Sequence, residues 1–499
     1  MENNGFLDVN SLKNASLGTV RCSADENYAV LKNAFDGSFD INMKKGICGD
    51  REVLFVNCDG LTNSKMIAEN AVMPLLCCSG KLPRKDTVQF ICENLLFGTE
   101  LSFAKSLDDA VKELLRGVLL IFIEGESECI LFGAQNIPER SISEPDTEVQ
   151  EAGSREGFVE NMKTNLALIR KRLCTTDLRV ETLEIGVTGK TRVCICYMSQ
   201  KVSDETLCDV RRKLKSVQLD TLLGAGYLRK ALDSRRPSFF TMVGQTQRPD
   251  SFCAKLNEGK VGIIVDGTPF TLLVPRLFIE NFQTMDDYLN RPYFAAFMRC
   301  VRLLSFIISV FLPGIFVAVG LFHQELLPDN MLYNIVLMES NTLFNLTSEG
   351  LIIHFVYEAV REAGLRMPKS VGHAVSIVGA LVIGDAAVSA GLIGAPMLII
   401  VALTAICSLV SSDLYQPISV LRIVFILIGG GAGLYGITVG AAFMVINLAS
   451  VTDYGVNFLS PFTPYDKSLW RDTIYRADMQ KLGSRLFNIN SLKGQDYDK

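Results

Sequence analysis

The chain has 499 residues, 48% of them hydrophobic and 21% charged, with a formal net charge of −5. That length allows two or three domains, and the acidic balance gives no electrostatic basis for nucleic-acid binding. The mean hydropathy is positive, +0.26, because a charged front half is averaged with an apolar back half.

The N-terminus, MENNGFLDVNSLKN, lacks a basic stretch followed by an apolar one, so no cleaved signal peptide is expected. Residues 1–20 are polar and expected to be poorly ordered. Residues 21–137 read as a first α/β subdomain. Glu52–Asn57 is strand-like, Thr62–Leu76 helix-like, and Leu107–Leu115 an amphipathic helix. Gly117–Phe132 reads as a hairpin turning at Gly125-Glu126-Ser127. Residues 138–156 are a polar linker, acidic at Glu144, Asp146, Glu148 and Glu151.

Residues 157–298 read as a second α/β subdomain. Phe158–Leu173 is a helix whose basic end, Arg170 to Arg172, suits the C-terminal dipole. Leu178–Gly186 and Thr191–Met198 pair around Thr188-Gly189-Lys190, and Ser203–Ser216 and Thr221–Leu232 are helices. Gly186–Thr191 is not a phosphate loop. The first glycine of that motif would fall at Glu184, and the segment joins two strands rather than a strand and a helix. Arg236–Asp250 reads as a further linker. Lys260–Val265 and Pro269–Val274 form a hairpin across Asp266-Gly267. The two subdomains are not obvious repeats of each other in sequence.

The chemistry of the head is sparse. There are 14 cysteines and 3 histidines. Cys194 and Cys196 share a strand face and Cys77–Cys78 is vicinal, but no CxxC or histidine cluster accompanies them. Reduced, mostly buried thiols are expected, with no metal and no cofactor. No nucleophile–base set or catalytic carboxylate pair emerges, so no enzyme is expected.

Residues 299–455 read as a helical transmembrane domain, and 456–499 as a polar cytoplasmic tail. Leu303–Phe322 is the first crossing, kinked at Pro313. Arg291, Arg299 and Arg302 precede it and Glu325 and Asp329 follow, which places the head in the cytoplasm. Met331–Val360 reads as two short or amphipathic helices, with crossing left open. Between Val371 and Val451 the only formal charges are Asp385, Asp413 and Arg422, a run that supplies about four spans of roughly 20 residues. These are Gly372–Ala390, Pro396–Leu409, Val420–Leu434 and Ile437–Val451. Ala374, Val378, Leu381, Val382, Asp385 and Ser389 share one helical face and are candidate pore-lining residues. Asp385 needs water or a partner. It either faces an aqueous pathway or pairs with Arg422. Gly379 and Gly384, and the Gly429–Gly433 spacing, are candidates for close helix packing.

The strings AVSIVGALVIGDAAVSAG (374–391), FHQELLP (322–328), LSPFTP (459–464) and EGKVGIIVDGTPFTLLVP (258–275) carry a resemblance. With Ser143-Glu144-Pro145 and Arg155–Phe158 in the linker, the chain resembles the A subunits of the GerA family of spore germinant receptors. The resemblance implies an inner-membrane spore protein whose head faces the core. It implies a homo-oligomer, pentameric in that family, that is gated by a germinant and releases monovalent cations. The partners it implies are a transporter-like, permease-related B subunit and a lipoprotein C subunit. A SpoVAF-type accessory channel and a non-conducting scaffold are the alternatives.

Overall fold

The computed structural model describes residues 16–463 and 470–476, except 79, 84–85, 99, 136–147, 149, 151–152, 234–236, 341, 368–383 and 471. The head consists of two α/β units that repeat one plan. The first runs α1 (Ala24–Phe35), β1 (Ile41–Cys48), β2 (Arg51–Cys58), α2 (Ser64–Ile67), α3 (Thr87–Asn94), β3 (Leu101–Ala104), α4 (Leu107–Leu114), β4 (Val118–Ile123) and β5 (Cys129–Gly133). Helix α2 continues through a π turn at Ala68–Val72 into Met73–Leu76. The second runs α5 (Met162–Arg172), β6 (Leu178–Ile185), β7 (Thr191–Met198), α6 (Asp204–Lys215), α7 (Ala225–Leu232), β8 (Gly244–Thr246), α8 (Pro249–Asn257), β9 (Val261–Val265) and β10 (Thr271–Val274). The sheet orders are β1-β2-β4-β5-β3 and β6-β7-β9-β10-β8, the same topology twice, antiparallel throughout.

The likeness extends to individual hydrogen bonds. Asn27 brackets Arg21 through both its backbone groups, and Asn165 does the same to Val159. Glu124 in the β4–β5 turn accepts from the Ala24 N–H that opens α1. Asp266 in the β9–β10 turn accepts from the Met162 N–H that opens α5. Gly125 N–H donates to Cys22 O, and Gly267 N–H to Glu160 O, with φ of +89° and +84° at the two glycines. Side-chain acceptors at a helix start satisfy donors that the helix cannot. The aspartate before Gly267 thus shapes a turn and caps a helix.

Strand alternation builds a core on each sheet face. In β2, Leu54 and Val56 face α1 and α4, while Val53 and Phe55 face α2 and α3. In β7, Cys194 and Cys196 face α5 and α8, and Val193 and Ile195 face α6 and α7. Helices therefore cover both faces of each sheet. The expected linker at 236–250 instead holds β8 and the start of α8.

The C-terminal part is helical: α9 (Pro292–Phe322), α10 (Asp329–Glu339), α11 (Leu346–Arg366), a helical stretch at 384–389, α12 (Ala395–Val410) and α13 (Tyr415–Ser450). Among the described residues two segments, Pro292–Phe322 and Ser412–Ser450, are long and apolar enough to cross a membrane. Helix α9 begins earlier than the apolar run, at Pro292. Helix α13 is a hairpin. Gly433 breaks it with φ 62° and ψ −156°, a conformation open to glycine. A Cβ on Gly440 would lie 2.9 Å from the Phe425 ring, whereas 15 residues of straight helix span about 22 Å. Its apex lies against Phe322, the end of α9. Both its ends return to the second α/β unit: Arg276 pairs with Asp413 just before it, and Ser238 donates to Asn447 near its end.

Candidate functional site

Of the candidate pore-lining residues, Ala374, Val378, Leu381 and Val382 lie outside the described residues, as does Gly379. Asp385 and Ser389 are exposed and one helical turn apart, while Gly384 is buried with Leu398 at 3.5 Å from its Cβ position. The Asp385–Arg422 ion pair is absent, because Arg422 is fully buried and engaged elsewhere. Gly429 abuts Gly314 so closely that a Cβ would collide with the Gly314 carbonyl.

The position of Arg422 follows from Pro313. A proline inside a helix has no N–H to give the carbonyl four residues earlier, here that of Ser309. Arg422 Nε donates to Ser309 O at 2.9 Å, and its Nη2 donates to Thr404 O at 3.2 Å. One guanidinium thus fills the gap in α9 and ties it to α12. Both residues were visible in the sequence; what was missing was their juxtaposition.

Helix α11 carries the polar residues that interrupt the apolar pattern of 331–360. Glu349 is fully buried and accepts from Gly394 N–H at 3.2 Å. His354 Nδ1 meets Gly350 O at 2.8 Å. Glu358 accepts from Tyr415 Oη at 2.7 Å and Ser419 Oγ at 2.8 Å, and Arg361 lies over the Tyr415 ring.

The junction of head and helices is built from ion pairs and aromatic rings. Arg299 and Arg302 both bind Asp287, and Arg299 also reaches Asp472. Tyr288 Oη donates to Asp472 at 2.8 Å, and Arg476 donates to Asn290 O at 2.8 Å. Residues 472–476 of the polar tail are therefore bound to the elbow before α9, because oxygens of Asp472 and Thr473 meet the buried Arg299 and Arg476 donates to elbow carbonyls. Phe240, Phe278, Phe306 and Phe458 pack edge-on across head, elbow, α9 and tail. Beside them a cavity of about 280 Å³ is lined from both sides, by Thr246, Lys255 and Arg276 of the head and Ser411 and Asp413 of the α12–α13 corner. Burial pushes the Glu280 carboxyl there upward, but Lys255 and Lys260 outweigh it and hold it well below the usual range. Burial raises the neighbouring Glu148 carboxyl.

Elsewhere in the head, burial pushes the thiols of Cys48, Cys194 and Cys253 up to about 12. Among the described residues no three His, Cys, Asp or Glu side chains converge as a metal site. Gly186–Lys190 joins β6 to β7 as a turn.

The family model described as Bacillus/Clostridium GerA spore germination protein matches residues 29–486. Spore germination protein KA of Bacillus subtilis (strain 168) is 34% identical over 462 residues, covering 91% of this chain and 84% of that protein. Stage V sporulation protein AF of the same organism is 27% identical over 458 residues, covering 91% and 92%. Among solved structures, the N-terminal domain of the A subunit of the Bacillus megaterium spore germinant receptor GerK3 is similar at 25% identity. The match has a TM-score of 0.43 and covers 53% of this chain and 99% of that one.

Proposed function

Since the chain belongs to the GerA family of spore germination proteins, we propose that it is a germinant-receptor A subunit acting as an oligomeric, ligand-gated cation channel. It sits in the spore inner membrane as a multi-pass protein with the head toward the core. A permease-like B subunit receives the germinant, a lipoprotein C subunit completes the receptor, and opening releases monovalent cations. Asp385, with Val378 and Val382 of the same apolar run, lines the pathway. A ring of aspartates favours cations, and a ring of valines gates by dewetting.

The observation that carries this reading is Asp385, a carboxylate exposed on a single protomer within an apolar run. Such a group requires water or a partner, and assembly around an axis supplies water. The junction supports the gating half of the proposal, since one group of ion pairs joins elbow, α9 and tail and another joins the head to the α12–α13 corner. The identity to stage V sporulation protein AF supports the runner-up, an accessory channel. Neighbouring genes for B and C subunits would favour the receptor, and their absence the accessory role. The test is potassium release from spores carrying Asp385→Asn. The proposal expects slower nutrient-triggered release at normal protein level. Unchanged release at that level would refute the pore assignment.

A further inference from the structure

The seam between α11 and the first half of α13 holds two buried polar atoms, one on each helix, that make no hydrogen bond among the described residues. The helices run antiparallel. Thr347 lies against Gly430, a Cβ on Gly350 would lie 3.5 Å from Ile426, and Glu358 meets Ser419 at 2.8 Å. Stepping four residues along α11 from Gly350 and four back along α13 from Ile426 brings His354 opposite Arg422. His354 is 2% exposed and Arg422 0%. His354 Nε2 and Arg422 Nη1 have no hydrogen-bond partner among the described residues. With the Nδ1 proton given to Gly350 O, Nε2 is an acceptor, and Nη1 is a donor. The same guanidinium fills the carbonyl gap that Pro313 leaves in α9, one residue from the Gly314–Gly429 contact.

We propose that Arg422 locks the kink of α9 and that His354 is a proton-binding site that releases the lock. While His354 is neutral, Nη1 can donate to Nε2, and one guanidinium serves α9, α12 and α11 together. A proton taken from solvent onto Nε2 turns that acceptor into a donor and sets a second positive charge against the guanidinium. In a low-dielectric interior the two repel strongly. Glu358, one turn away on α11, then draws the guanidinium from Ser309 O. The carbonyl left behind has no helical donor, and α9 loosens around Pro313. The titratable and charged groups around the pair are Tyr357, Glu358 and Arg361, which pairs with Glu358, from α11, Tyr415 from α13 and Cys407 from α12. From α9 the uncharged Ser309 approaches, through its carbonyl. Loss of the proton restores the lock.

Hydrogen–deuterium exchange of the full chain in lipid nanodiscs tests this, with rates corrected for the intrinsic pH effect. Between pH 7.5 and 5.5, protection over residues 305–317 should fall by about tenfold in the wild type, as local opening becomes easier. His354→Gln should remove that change, and His354→Asn serves if the glutamine variant is poorly made. Arg422→Lys, which cannot span two carbonyls, should show the low protection at both pH values. A wild type insensitive to pH, an equal response in the histidine variants, or full protection in Arg422→Lys would overturn the proposal. The readout requires no ion flux, so it can fail while the receptor reading stands, or survive if that reading fails.

Discussion

Asp40 and Arg170 tie the two α/β units together, and the effect of cutting that tie can be worked from the structure. Both side chains are 1% exposed. Arg170 donates to both carboxylate oxygens of Asp40, to Ser38 Oγ at 3.2 Å, and to the carbonyls of Leu178 and Thr175 at 3.0 and 3.1 Å. Replacing Asp40 by leucine leaves a guanidinium buried without its counter-charge. Breaking a buried pair from one side costs about 3–5 kcal/mol. For a unit pair of this size each kcal/mol moves Tm by about 2–4 °C, so Asp40→Leu should lower the head's Tm by roughly 6–20 °C. Adding Arg170→Met removes the stranded charge and should recover most of the loss, because exchanging both partners for apolar residues is often near neutral. Far-ultraviolet circular dichroism of the full chain in detergent reports the melt. A loss under about 2 °C in Asp40→Leu, or a double variant no better than the single, would refute the reasoning.

Gly429→Val should destabilise the helical region by about 1–3 kcal/mol through overpacking, read as a lower melting temperature. Gly431→Ala is the control, since nothing lies within 4 Å of its Cβ position. Asp413→Arg should delay germinant-triggered ion release while changing stability by less than about 1 kcal/mol, as Asp413 is half-exposed. Exchanging the charges with Arg276→Asp should restore the response. Iodoacetamide at pH 8 should modify Cys22, Cys77, Cys174 and Cys208 in the native protein and spare Cys48, Cys129, Cys194 and Cys253 until it unfolds. Mass spectrometry of the labelled peptides checks this.

The legible parts of the fold were those written in local pattern. Asp266-Gly267 and Thr188-Gly189-Lys190 mark turns whose flanking strands pair as expected. Ser203 caps α6 through the Thr206 N–H. Strand β1 was not legible, because as an edge strand it buries only its two end residues. Three-residue β8 is too short to show a period. The duplication was hidden because its two copies share turn glycines, caps and topology but few core side chains. Asn27 and Asn165 were a usable signal, each in the first turn of its unit's first helix, yet a lone asparagine has many other uses. In the membrane region the apolar runs were plain. The partnership of Arg422 with Pro313 was not, because it depends on how α9, α12 and α13 pack. The docking of Asp472–Arg476 likewise depends on Arg299, more than 170 residues away.

The central claim is that assembled copies conduct cations past Asp385. Single-channel recording of the purified receptor in planar bilayers tests it most directly. Germinant should open a cation-selective conductance, and Asp385→Asn should lower its selectivity or amplitude. A purified, assembled receptor that binds germinant yet passes no current, or whose selectivity is unchanged by Asp385→Asn, would contradict the account.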